Sequence, residues 1–152
     1  MSQTIRPAEP MERPLLEALQ LRASLATGEH VSDLLAHPEA AAIDPAHIPH
    51  TLVLELGGRV AGFCIVLPVA PEVAELEGLF VEPDCWRMGK GADLVGEAEA
   101  KARGLGASSL HVVAGEWALP FYRALGFELL GAEVTRFGPA FGLHKALFPR
   151  AG

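Results

Sequence analysis

The stretch from Val73 to Val113 constrains this chain most, because it reads as strand, glycine-bearing loop, helix and strand. In Val73–Val81 side chains alternate, with Glu75, Glu77 and Leu79 on one face and Leu76, Gly78 and Phe80 on the other. A loop follows, Glu82-Pro83-Asp84-Cys85-Trp86-Arg87-Met88-Gly89-Lys90-Gly91. Leu94, Val95, Ala98 and Ala102 then recur at helical spacing as far as Gly104 and Gly106, and Ser108–Val113 is again β-like. Two strands joined through a helix lie parallel in one sheet, by a right-handed crossover.

The flanking segments point to antiparallel neighbours. Thr51–Leu56 and Arg59–Leu67 flank Gly57-Gly58, a hairpin turn signal, and Pro68 and Pro71 break the chain before the next strand. Phe127–Val134 and Phe141–Phe148 form a final antiparallel pair, after a short helix at Trp117–Leu125 closed by Gly126. Ile5-Arg6-Pro7 opens as a short strand, limited by Pro7 and Pro10. Leu15, Leu16, Leu19, Leu21 and Leu25 give an amphipathic helix, and a second short helix covers His30–Leu35. Ala36–His50, with prolines at 38, 45 and 49, reads as a long loop. The sum is an α+β domain on a mixed, mostly antiparallel sheet, with helices on both faces and one parallel strand–helix–strand crossover.

At 152 residues, 50% of them hydrophobic, residues 1–152 are expected to make one compact domain. The only cysteines are Cys64, inside an apolar run, and Cys85, in the loop, with no Cys-x-x-Cys partner. Two unpaired thiols, no signal-like start and no apolar run near the ~20 residues of a spanning helix lead us to expect a cytoplasmic protein without a membrane partner. A net charge of −7 argues against nucleic acid, because phosphate contacts need a basic face, and would suit a cationic acceptor. Scattered histidines such as His47 and His50 make a poor ligand set, so no metal is expected. His111, within an apolar run, reads as a core histidine.

Gly89-Lys90-Gly91 opens a helix after a strand, and several readings compete. A P-loop needs Lys-Ser/Thr after the last glycine, where Ala92-Asp93 stand. A dinucleotide fingerprint needs a small residue where Leu94 stands and a tighter strand-to-helix turn. A loop wrapping a pyrophosphate with main-chain N–H groups fits better, with Arg87 and Lys90 adding positive charge. An ordinary helix start with flexible glycines is equally consistent with the spacing alone.

Ala74-Glu75-Leu76-Glu77-Gly78-Leu79-Phe80-Val81-Glu82-Pro83, then Trp86-Arg87-Met88-Gly89-Lys90-Gly91, then Ala118-Leu119-Pro120-Phe121-Tyr122-Arg123-Ala124-Leu125-Gly126-Phe127 occur in that order. From Glu75 to Gly131 the chain resembles the acetyl-CoA-binding half of GNAT acetyltransferases. Those strings match the family's central strand, its Arg/Gln-x-x-Gly-x-Gly/Ala loop and its A-x-x-[FL]-Y-x-x-x-G-F signature. Two departures stand out: Trp86 occupies the usual Arg/Gln position, and Gly115 stands where many members carry a cofactor-contacting Asn.

The resemblance implies a GNAT-type fold and a site. Residues 73–131 would bind acetyl-CoA, while 1–50 and 132–148 would form the acceptor side, including a loop at Thr135–Phe141. The pantetheine arm would lie along Leu79, Phe80 and Val81, with the acyl carbonyl held by a main-chain N–H near Phe80 or Val81. The pyrophosphate would sit at Arg87, Met88, Gly89, Lys90, Gly91 and Ala92. Tyr122, the only tyrosine, would be the general acid for the departing thiolate. Glu75 or Glu77 would take the proton of an attacking ammonium, or be a solvated residue of the sheet face. The expected activity is transfer of acetyl from acetyl-CoA to a primary amine of a small molecule or peptide by direct attack, and the competing one is a non-catalytic acyl-CoA-binding module. The late strands would also allow a homodimer.

Overall fold

The computed structural model describes residues 2–147. Seven strands follow the chain as β1 (Gln3–Pro7), β2 (Thr51–Leu56), β3 (Arg59–Ala70), β4 (Val73–Val81), β5 (Ser109–Ala114), β6 (Glu128–Thr135) and β7 (Gly138–Ala146). Four helices accompany them: α1 (Arg13–Ala26), α2 (Val31–Ala36), α3 (Lys90–Gly104) and α4 (Leu119–Ala124). The strands order as β1-β2-β3-β4-β5-β7-β6, a mostly antiparallel sheet whose parallel pair is β4–β5, as the strand–helix–strand pattern requires. The chain divides into two compact units, one of residues 1–65 and 78–97, the other of 66–77 and 98–152.

In the first unit β1 pairs with β2 and β2 with β3, both antiparallel. α1 buries Leu16, Leu19 and Ala23, the one-sided spacing of an amphipathic helix. Val53 and Leu54 of β2, Phe63 and Ile65 of β3, and Leu94 and Val95 of α3 are also buried. Arg6 of β1 donates to Glu12 at 2.9 and 2.7 Å and to Glu55 at 2.9 and 2.6 Å, linking β1 to β2 and to the start of α1. The Arg6 hydrogen bonds hold the Glu12 carboxyl below its ordinary range.

In the second unit Val73–Leu76 of β4 run parallel to Ser109–Val112 of β5, and β7 lies antiparallel to both β5 and β6. Ala74, Leu76, Ala98, Ala102, Leu110, Val112, Tyr122, Phe127 and Leu143 are buried. Gly126, at φ +93°, ends α4 in the left-handed conformation expected of a C′ glycine. Its N–H reaches Arg123 O at 3.0 Å, and that of Phe127 reaches Tyr122 O at 3.1 Å.

Several expected boundaries move. Ala36–His50 is not an open loop: 3-10 turns form at Pro38–Ala41 and Pro45–His50, each with proline in its first turn. Ala41, Ile43 and Ile48 tuck inward, and the Asp44 carboxylate accepts from Ala46 N at 2.9 Å. β3 continues through Pro68 to Ala70, along an exposed tail. The Trp117–Leu125 helix splits into a 3-10 turn, Glu116–Ala118, and α4, which has Pro120 in its first turn. The expected acceptor loop at Thr135–Phe141 is instead a tight hairpin, since β7 begins at Gly138; Thr135 Oγ1 donates to Gly138 O at 2.7 Å. Phe148 lies outside the described residues. His111 is half-buried, on the opposite face of β5 from Leu110 and Val112.

Candidate active site

β4 supplies the spine of the candidate site. Along Val73–Gly78 burial alternates strictly, with Ala74, Leu76 and Gly78 inside; then Leu79 and Phe80 are both half-buried and Val81 is buried. The regular inside–outside alternation of burial is thus interrupted at Leu79–Phe80. Gly62 of β3 lies so close that a Cβ on it would stand 2.9 Å from the Phe80 carbonyl oxygen. Trp86 Nε1 donates to the Val81 carbonyl at 2.8 Å, so the departure from Arg/Gln builds a strut between the loop and the end of β4.

The loop itself is bent at two places. After the 3-10 turn Pro83–Cys85, Arg87 and Gly89 take φ of +66° and +75°. A non-glycine residue in that region is uncommon, and such strain gathers at functional sites. The two left-handed residues flank Met88, and α3 begins at once after Gly89 with Lys90. Asp93 N already bonds Gly89 O at 3.1 Å, leaving Lys90, Gly91 and Ala92 with the N–H groups that a helix start cannot pair internally. Arg87, Met88 and Gly89 are exposed, and Lys90, Gly91 and Ala92 half-buried. Lys90 Nζ donates to Gln3 Oε1 at 2.6 Å and Gln3 Nε2 to Asp93 at 3.0 Å, so the lysine is tethered to β1.

A charged cluster braces this loop. Glu82, buried directly after β4, accepts from Arg22 of α1 and from Arg59 of β3, and Arg59 also reaches Asp84 at 3.1 Å. The Cys85 thiol donates to Asp84 Oδ1 at 3.2 Å; burial, then this bond, pushes the thiol above its ordinary value. The same S–H, then Arg59, holds the Asp84 carboxyl below its ordinary range.

The second unit carries the other candidates. Glu75 is half-buried and Glu77 exposed, on one face of β4. Tyr122 of α4 is buried at 6% exposure, its ring edge-on to Phe121 and Phe127 at centroid distances of 5.0 and 5.4 Å. Gly115 starts the 3-10 turn before α4 in an extended conformation open to any residue. Leu79, Phe80, Val81, Arg87, Met88, Gly89, Lys90, Gly91 and Ala92 thus belong to the first unit, and Glu75, Glu77 and Tyr122 to the second. Sequence reasoning missed the Trp86 strut, the Gln3 tether and the two arginines on Glu82. All join residues far apart in the chain or rest on an unexpected side chain, and only the oddity of Trp86 in its loop was a signal.

A strand leading through a loop with left-handed backbone at Arg87 and Gly89 into a helix start is an arrangement suited to binding an anion. The acetyltransferase (GNAT) family model matches residues 15–127, so the chain belongs to the GNAT acetyltransferase family. The PaiA N-acetyltransferase of Thermoplasma acidophilum, solved in complex with coenzyme A, is 19% identical with a TM-score of 0.78, over 96% of this chain and 99% of that one. The ribosomal-protein-S18-alanine N-acetyltransferase of Escherichia coli is 20% identical with a TM-score of 0.71, over 99% and 97%. The N-acetylglutamate synthase of Neisseria gonorrhoeae, complexed with coenzyme A and N-acetyl-glutamate, is 22% identical with a TM-score of 0.75, over 98% of this chain and 36% of that one. At these identities the likeness is one of fold, the GNAT-type mixed sheet. No curated protein matches the sequence. Acetyl-CoA is the co-substrate of GNAT enzymes. Among the described residues no group of three or more His, Cys, Asp and Glu is arranged to hold a metal, and no helix is long and apolar enough to cross a membrane.

Proposed function

We propose that this protein transfers an acetyl group from acetyl-CoA to a primary amine of a small molecule or peptide, by direct attack. The observation that carries this reading is the left-handed backbone at Arg87 and Gly89 leading into the unpaired N–H groups of Lys90, Gly91 and Ala92. Such donors suit a pyrophosphate, and Arg87 adds a cation beside them. Leu79, Phe80 and Val81 offer main chain for pairing with an amide-bearing arm, as an added strand would. A main-chain N–H at Phe80 or Val81 stabilises the charge growing on the acyl oxygen. Acetyl-CoA, when bound, supplies a thioester whose carbonyl carbon accepts the amine. Glu75 or Glu77 takes the proton that the ammonium must lose before its nitrogen can attack. Tyr122 gives its phenolic proton to the thiolate set free, and is restored, directly or through water, by the second proton that the nitrogen sheds as the amide forms.

Trp86 and Gly115 favour a second reading, a domain that binds acyl-CoA without turning it over, because each replaces a polar residue of the family pattern. Calorimetric titration with acetyl-CoA, with NAD and ATP as controls, tests both. Selective binding that is weakened by Gly89→Val, followed by thiol release with primary amines, is the expected result. Binding without thiol release for any amine would favour the second reading, and no binding at millimolar acetyl-CoA would overturn both.

A further inference from the structure

Four ionisable side chains form a row across the second unit. Glu75 of β4 is the register partner of His111 of β5, His111 of His144 of β7, and His144 of Glu128 of β6. Partners on neighbouring strands project to the same face of a sheet, so the row is continuous over four strands. The two imidazole rings meet edge to face, with centroids 5.7 Å apart, and His144 Nε2 is 4.0 Å from Glu128 Oε2. Exposure rises at the end of the row: Glu75, His111 and His144 are half-buried, whereas the Glu128 side chain is 83% exposed.

Among the described residues of β4–β7, the other charged side chains on this face are acidic. Glu77 lies two residues along β4, and the Glu133 carboxylate of β6 lies over Gly142, two residues before His144. β5 presents Ser109 and Val113 here, and β7 presents Gly142 and Ala146. Lys145 points away, to Glu99 and the Phe127 ring.

A carboxylate that takes a proton in every turnover must lose it before the next. Imidazole is the side chain that gains and gives protons near neutrality, and it does so through two different nitrogens. We propose that His111 and His144 relay the proton collected by Glu75 to solvent at Glu128. This inference rests on the acetyltransferase reading and assigns Glu75, rather than Glu77, as its base. The N–H bond of the ammonium breaks, and its electron pair stays on nitrogen to form the new C–N bond. The proton passes to Glu75, then to one nitrogen of His111 while the other nitrogen releases a proton towards His144, directly or through one water. His144 repeats the exchange at Glu128. The row returns to its starting state, and no oxidant or metal is consumed. His111 and His144 are positioning residues: they act through Glu75 and need not touch the substrate.

The test uses the full chain, with acetyl-CoA and n-butylamine, lysine methyl ester and an alanine-initiated peptide as acceptors, followed by thiol release. His111→Gln is expected to lower kcat about 10- to 100-fold at pH 7, with KM for the amine unchanged. Added imidazole or a rise to pH 9 should restore much of the rate. His144→Gln should lower kcat less, and the double variant should be no slower than His111→Gln, as for steps in series. Acetyl-CoA binding by each variant reports that it is folded. Wild-type binding and thiol release with both single variants within about twofold of wild type across pH, and no imidazole rescue, would overturn the relay alone. Failure of the wild-type protein to bind acetyl-CoA would overturn the acetyltransferase reading and the relay with it. NMR of the ring C2–H signals adds a readout without substrate. His144→Gln should displace the His111 ring signal, because the two rings meet edge to face, and a signal unmoved would overturn the row.

Discussion

Gly62 offers a sharp check on how closely β3 and β4 approach at the candidate site. An alanine methyl there would stand 2.9 Å from Phe80 O, 3.1 Å from Leu94 Cδ1 and 3.4 Å from Val81 Cγ2. The tightest neighbour is a main-chain oxygen, so no rotamer change relieves the clash, and the site is buried. Overpacking of this kind costs about 1–3 kcal/mol. Restricting the unfolded chain offsets about 0.4–1 kcal/mol of that, leaving Gly62→Ala roughly 1–2 kcal/mol less stable. For a domain of this size the melting temperature should fall by about 2–8 °C. Gly96→Ala is the control. Gly96 lies within α3 with open space around its Cβ position and no positive φ, so alanine should stabilise by roughly 0.5–1 kcal/mol. Urea unfolding at pH 7 reads both as shifts of midpoint at constant slope. A Gly62→Ala midpoint at or above wild type, with Gly96→Ala raised as expected, would refute the close approach. Because Phe80 carries the carbonyl that must move, Gly62→Ala should also weaken acetyl-CoA binding, which Gly96→Ala should leave alone.

Tyr122→Phe keeps the ring packed between Phe121 and Phe127 and removes only the hydroxyl; kcat for acetyl transfer should drop on the order of 10²-fold with acetyl-CoA affinity retained, and an unchanged rate across pH would refute the acid role. Arg6 holds the Glu12 carboxyl below its ordinary range, so the stability it contributes is present above the unfolded-state value and is lost as pH falls through the folded one. The urea midpoint should therefore decline from about pH 5 downwards, and Glu12→Gln should lower it at pH 7 and flatten that decline.

Local patterns carried far because each depends on a few neighbouring residues. Alternation set β4 at Val73–Val81, the Gly57-Gly58 pair set the turn between β2 and β3, and the glycine after α4 set its end. Where proline decided the outcome the reading was weaker. Prolines at 38, 45 and 49 suggested open chain, yet Pro38 and Pro45 suit the first turn of a helix, and Ala41, Ile43 and Ile48 are buried there. Pro68 suggested a strand end, yet it is tolerated in the exposed tail of β3.

The sequence by itself determined the strand–helix–strand crossover, the glycine loop with its candidate cofactor residues, and the motif order that marks the family, because all are written in short-range spacing. Only the tertiary structure decided that Trp86 braces Val81, that Gln3 tethers Lys90, and that Glu82 is shared by Arg22 and Arg59. It alone brought Glu75, His111, His144 and Glu128 into one row. Strand register is set by packing across the whole sheet, and no local pattern in 75, 111, 128 or 144 encodes which residue will stand beside which.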